Sequence, residues 1–147
     1  MSTSKQYPRL TPELYCTDIK LSLEFYVKTL GFNIEYDRPE DAFAFLNYQG
    51  AEIMLEQFDN PNGQKWLPAP LERPFGRGIN FQIETDEVDA LYARVKMSNA
   101  QIISELHDKW YRATDVYVGN RQFVATDPDG YMLRFYQDLG SRESIPE

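Results

Sequence analysis

The sequence predicts an α+β fold: paired β-α-β-β-β modules whose curved mixed sheets form a cup, with the helices outside. Three observations lead there. First, the order of elements recurs along the 147 residues. A shift of 68 lays Thr17-Asp18 on Thr85-Asp86, Leu23 on Leu91, Val27-Lys28 on Val95-Lys96 and Ile34 on Ile102. A shift of 80 lays Gly50 on Gly130, Leu55 on Phe135 and Gln57 on Gln137. Second, residues 58–77 between the copies hold Pro61, Pro68, Pro70 and Pro74 with Gly63 and Gly76, the composition of a linker. Third, the strands alternate an apolar face with a polar-aromatic one. The chain then reads as one domain over 1–147, with modules at about 11–57 and 78–138.

The elements follow in order. Leu14 to Cys16 reads as a strand, and Asp18 as the N-cap of a helix from Ile19 to Leu30 that Gly31 stops in a left-handed turn. Ile19, Leu23, Tyr26, Val27 and Leu30 share one face of that helix. Strands are expected at 32–36, 42–48 and 51–57, the last two joined at Gln49-Gly50. The second pass repeats the scheme. A strand runs over 79–84, Asp86 caps a helix with Val88, Leu91, Tyr92 and Val95 on one stripe, and strands follow near 102–106, 117–126 and 131–137. Asp127-Pro128-Asp129-Gly130 makes the last turn, with both aspartates structural.

Parity assigns the faces. Ile79, Phe81 and Ile83 should pack under a helix and leave Asn80, Gln82 and Glu84 to the cup. Ile53 and Leu55 oppose Glu52, Met54 and Glu56, while Leu133 and Phe135 oppose Met132, Arg134 and Tyr136. Burying each Leu or Ile contributes ~1.5–3 kcal/mol. Cys16 falls on the helix side and reads as a small core residue.

Composition removes several functions. Acidic groups outnumber basic ones, 23 to 15, for a net charge of −8, so a general nucleic-acid partner is not expected and a cationic or aromatic small molecule is. No apolar run approaches the ~20 residues that span a bilayer, so no membrane partner is expected. The start MSTSKQYPRL lacks the apolar core of a signal peptide, and a single cysteine allows no internal disulfide. Both suit a cytoplasmic location. One histidine and one cysteine cannot build a two-histidine or polycysteine metal site, and His107 reads as an exposed loop residue.

Several motifs carry a resemblance. Pro12-Glu13-Leu14-Tyr15-Cys16-Thr17-Asp18, Ser22-Leu23-Glu24-Phe25-Tyr26, Leu30-Gly31-Phe32, the stretch from Gly50 to Glu56 and the stretch from Asp127 to Phe135 together resemble the vicinal-oxygen-chelate superfamily. That superfamily contains glyoxalase I, extradiol dioxygenases, fosfomycin-resistance enzymes and bleomycin resistance proteins. The resemblance runs from about Pro8 to Gly140. At the four positions that hold metal in its enzymes, this chain has Thr11, Met54, Gly78 and Arg134. A guanidinium in place of a carboxylate repels a divalent cation. The resemblance therefore implies no metal, no cofactor and no catalytic residue.

What remains resembles the bleomycin resistance branch, through Met54-Leu55-Glu56-Gln57-Phe58 and the DPDGYMLRFYQ ending. That branch implies a homodimer that sequesters a cationic glycopeptide drug in clefts between subunits. Phe43 keeps an aromatic of that cleft, Val118 stands where some members have a tryptophan, and Trp110 and Tyr117 are nearby aromatics. The expected ligand-binding set is Phe43, Glu52, Met54, Glu56, Asn80, Glu84, Trp110, Tyr117 and Arg134. Glu13, Glu52, Glu56 and Glu84 make the cup acidic, and Arg134 either anchors a ligand or pairs with a glutamate. Trp66 is expected to pin the linker. Two alternatives stay open: an enzyme of the same superfamily with a non-standard site, and a binder of another metabolite with no resistance role.

Overall fold

The computed structural model describes residues 6–63 and 65–145. The first module opens with strand β1 (Glu13–Cys16) and helix α1 (Ile19–Leu23), which widens into a π-helical continuation over Glu24–Leu30. Strands β2 (Asn33–Arg38), β3 (Phe43–Tyr48) and β4 (Ala51–Gln57) complete it, paired in the order β1-β4-β3-β2. The second module has β5 (Asn80–Glu84), α2 (Val88–Met97), β6 (Ile102–Ala113), β7 (Val116–Thr126) and β8 (Met132–Arg142), in the order β5-β8-β7-β6. The two sheets are the same diagram drawn twice. In each, the first strand pairs parallel to the last and the remaining pairs are antiparallel. The two mixed sheets with their few helices are the α+β architecture expected from the sequence.

Asp18 caps α1 as expected, its carboxylate accepting from Lys20 N at 3.0 Å and Leu21 N at 3.4 Å. Gly31 ends the helix at φ 95°. The widened turn changes which residues are buried. Ser22, Phe25, Tyr26 and Leu30 face the core, whereas Val27, assigned there by a period of 3.6, lies half-buried beside Leu23 and Ile34. An i→i+5 turn delays each residue around the axis, so an α-helical count drifts off the buried side.

Asp86 does not cap α2. The cap position is Glu87, whose own N–H is taken by Thr85 Oγ1 at 3.1 Å, and Val88 N donates to Gln137 Oε1 at 3.2 Å. The first module has the same device: Ile19 N donates to Gln57 Oε1 at 3.0 Å. Gln57 and Gln137 are the pair matched by the shift of 80, so the repeat is carried in helix capping as well as in pattern.

The helix-facing sides of both sheets converge on one core. Tyr48 of β3 lies edge-on to Phe135 of β8, centroids 5.9 Å apart, and its hydroxyl meets Thr85 Oγ1 at 2.6 Å. Arg94 of α2 donates to the carbonyl of Thr29 at 3.1 Å. The β7–β8 turn clasps the halves. Asp127 Oδ2 accepts from the Tyr26 hydroxyl at 2.8 Å, and Asp129 accepts from Thr17 Oγ1 at 2.7 Å and from Arg73 of the linker at 2.8 Å. The side chains opposite this shared core make a separate face on each sheet.

Three local expectations change. Ile79 lies before β5, in a turn where its N–H reaches Gly76 O at 3.0 Å, and is 52% exposed rather than core. β6 and β8 run on to Ala113 and Arg142, so His107 is on a strand, not in a loop, though still exposed. The Trp66 ring is 72% exposed. The linker is held instead by buried Phe75 and by the backbone N–H of Trp66, which donates to Tyr15 Oη at 3.1 Å.

Candidate functional site: two faces of one repeat

Strand register determines which side chains share a face. In the first sheet Glu13 pairs with Met54, Tyr15 with Glu56, Phe43 with Glu56, Phe45 with Met54 and Asn47 with Glu52. All of these lie opposite the helix. Phe43 and Phe45 are each only 4% exposed, because the chain covers its own face. Tyr36 stacks on Phe45 at 5.2 Å, Tyr7 of the N-terminal arm meets Phe45 edge-on at 5.1 Å, and the Arg38 guanidinium sits 4.0 Å over the Phe43 ring. The linker closes over Glu56, directly across from Phe43, where Gly63 packs so near that a Cβ there would lie 2.5 Å from Oε1.

Electrostatics follow burial. Desolvation pushes the Glu56 carboxyl up, against the pull of Arg38. Glu13 is also raised, first by burial and then by the neighbouring Glu56 charge. Glu52 sits at the far end of the face and accepts from Asn47 Nδ2 at 3.0 Å. Arg134 of β8 is one fixed cation on the strand faces opposite the helices. Arg38 is a second, and its place over Phe43 depends on the β-bulge between Ile34 and Tyr36, which no alternation pattern reveals.

The second sheet presents a different face. Asn80 pairs with Met132, Gln82 with Arg134 and Glu84 with Tyr136; on the other side of β8, Thr126, Val124 and Gln122 pair with the same three residues. Asn80, Gln82 and Glu84 are exposed, and Met132, Arg134 and Tyr136 half-buried. Arg134 donates through its terminal nitrogen to Gln82 Oε1, and has no carboxylate partner among the described residues. Its Nε is buried without a hydrogen-bond partner. Gln122, 5% exposed, donates to Tyr111 Oη at 2.7 Å and leaves its own Oε1 unpaired. At the Met132 end an apolar cavity of about 300 Å³ is lined by Phe75, Gly78, Ile103, Thr126 and Met132. The sequence marks Tyr111 only together with Trp110, as a partly exposed aromatic pair, and does not single out Gln122. Gln122 alternates with core Phe123, a legible signal, whereas Tyr111 lies beyond the register shifts of β6.

The expected binding residues therefore divide. Asn80, Glu84 and Arg134 share the open second face. Phe43, Glu52, Met54 and Glu56 share the first face, the greater part of it covered. Trp110 pairs with Gly119 and Tyr117 with Arg142, on the helix side of the second sheet beyond α2, with Arg142 5.4 Å from the Trp110 ring. One chain does not gather Glu52, Glu56 and Glu84 into one acidic cup.

The metal positions of the superfamily's enzymes do not fit a divalent ion. Thr11 and Met54 offer a hydroxyl and a thioether, Gly78 offers no side chain, and Arg134 brings a positive charge. Among the described residues no group of three or more His, Cys, Asp or Glu is placed to hold one.

Comparison with known proteins agrees with the fold and the motifs. The family model for the Glyoxalase/Bleomycin resistance protein/Dioxygenase superfamily matches residues 9–135. The chain belongs to this superfamily. A curated relative, the bleomycin resistance protein of Geobacillus stearothermophilus, is 27% identical over 139 residues, covering 88% of this chain and 96% of that protein. The bleomycin resistance protein of Staphylococcus aureus matches to the same extent. A superfamily member from Vibrio splendidus 12B01 is 37% identical, covering 88% of this chain and 97% of that one, with a TM-score of 0.40. TioX from Micromonospora sp. ML1 shares the fold, with a TM-score of 0.68 at 20% identity over 90% of this chain and 99% of its own. No helix among the described residues is long and apolar enough to cross a membrane.

Proposed function

We propose that this superfamily member is a non-enzymatic binding protein that sequesters a small molecule on the open face of its second sheet, in a cleft closed by a second copy of the chain. The observation carrying this reading is Arg134. It stands where the superfamily's enzymes need a metal-holding carboxylate, and it lies on a polar face where its own Nε and Gln122 Oε1 are buried without hydrogen-bond partners. Such a face can hold and orient a ligand, and among the described residues no group of three or more His, Cys, Asp or Glu is placed to hold a metal. The first face is covered by the chain itself, whereas Asn80, Gln82 and Glu84 of the second are exposed. A homodimer supplies the missing wall.

A cationic glycopeptide of the bleomycin class is the occupant to test first, since the curated relatives carry that name and the chain is acidic. Glu84, on the open face, is the carboxylate able to meet a ligand cation, and Tyr136 offers it a ring. Calorimetric titration with metal-free bleomycin, followed by mass spectrometry of the recovered drug, tests the reading. Saturable binding with the drug returned unchanged supports it. A modified drug removes the non-enzymatic role, and absence of binding at high micromolar concentration removes bleomycin as the occupant. Light scattering should give twice the 17.2 kDa subunit mass, and a single-subunit value would remove the shared cleft.

A further inference from the structure

Two polar atoms on the open face lack partners, and they are of opposite kind. Arg134 Nε is a donor, Gln122 Oε1 an acceptor, and both are buried without a hydrogen bond. A polar atom left this way costs about 1–3 kcal/mol, so two on one face call for an explanation outside the chain's own contacts. Register makes them neighbours. Gln122 pairs with Tyr136 and Val124 with Arg134, so Gln122 and Arg134 are diagonal across β7 and β8, ~7–8 Å apart at the backbone and within reach of long side chains.

We propose that Arg134 and Gln122 form a subsite that reads a carboxamide on the ligand, the amide carbonyl accepting from Arg134 and the amide N–H donating to Gln122. The proposal rests on the reading of this face as the ligand-binding one and names the chemistry it selects. A carboxylate would satisfy Arg134 but set an oxygen against Gln122 Oε1, and Glu84, one register step away, disfavours an anion. An amidinium would satisfy Gln122 but set N–H groups and a positive charge against Arg134. A carboxamide presents one acceptor and one donor and satisfies both. Arg134 is half-buried and, among the described residues, held by Gln82 with no ion pair, so its guanidinium can turn to such a group. The Phe75–Met132 cavity beside it accommodates an apolar neighbour of the amide.

Benzamide, benzoate and benzamidine share a ring and differ in this one property, so they serve as probes. Their dissociation constants, measured by NMR titration of the full chain, should rank benzamide roughly tenfold tighter than either charged analogue. The Arg134→Met variant should erase the preference over benzamidine, and Gln122→Leu the preference over benzoate. Equal affinities, a preference for a charged analogue, or no binding of any probe at millimolar concentration would each overturn the subsite, and none of the three needs a variant to fold. Titrating the same samples with bleomycin separates the two ideas. Drug binding without amide preference removes the subsite alone, and amide preference without drug binding removes the drug as ligand alone.

Discussion

The two sheets share topology, helix capping and core, yet their outer faces have gone opposite ways. The first has been filled from within: Tyr7, Tyr36 and Arg38 pack over Phe43 and Phe45, and the linker closes over Glu56. The second is left polar and open, with Arg134 and Gln122 short of partners. A duplicated module need fold only once as a pattern. Its outward face is then free to become either structure or site, because helix-side packing holds the sheet together in both cases.

The sharpest way to break this comparison is to truncate one residue on each face. Phe45→Ala should cost about 3–5 kcal/mol in urea unfolding, because it empties a packed ring cluster. Arg134→Met should change stability by less than about 1 kcal/mol, since it removes a charge with no ion pair. Equal losses would mean that both faces are structural.

A second test uses the clasp that joins the modules. Burial pushes the Asp127 carboxyl from its ordinary 3.8 up to about 6, against four donors that favour its charged form. The folded state therefore holds this proton more tightly than the unfolded chain does. Its contribution is complete below about pH 4 and is lost as pH rises through about 6. Parent stability should fall by roughly 2 kcal/mol more across that window than that of Asp127→Asn, which keeps the shape and cannot titrate. Parallel pH profiles for the two proteins would remove Asp127 as a titrating group.

The smallest effect tests what the modules share. Gln57→Ala and Gln137→Ala each remove one helix-end acceptor and should each cost about 1 kcal/mol by thermal or urea unfolding. Unequal costs would show that the repeat is exact in geometry but not in energetics.

Much of the fold was legible because both modules obey one alternation and one helix period. Leu14, Cys16, Ile53, Leu55, Leu91 and Phe135 sit where parity assigns them. The misplaced residues are those where local geometry breaks the period: Val27 at the π-helical turn and Ile79 in the turn before β5. Parity also gave the right side for Glu56 and Arg134 without saying whether that side was open. Openness depends on where the linker and the N-terminal arm lie, and Pro-rich composition does not specify that. The acidic cup read from the sequence is thus divided between a covered face and an open one.

The central claim is that the open second sheet, not the covered first, holds the ligand. Mapping backbone and side-chain NMR shifts while bleomycin is added to the full chain tests it most directly. The account predicts perturbations concentrated at Gln82, Glu84, Gln122, Arg134 and Tyr136, with Phe43, Phe45 and Glu56 little changed. Saturable shifts centred on those three first-sheet residues, with the second face silent, would contradict it.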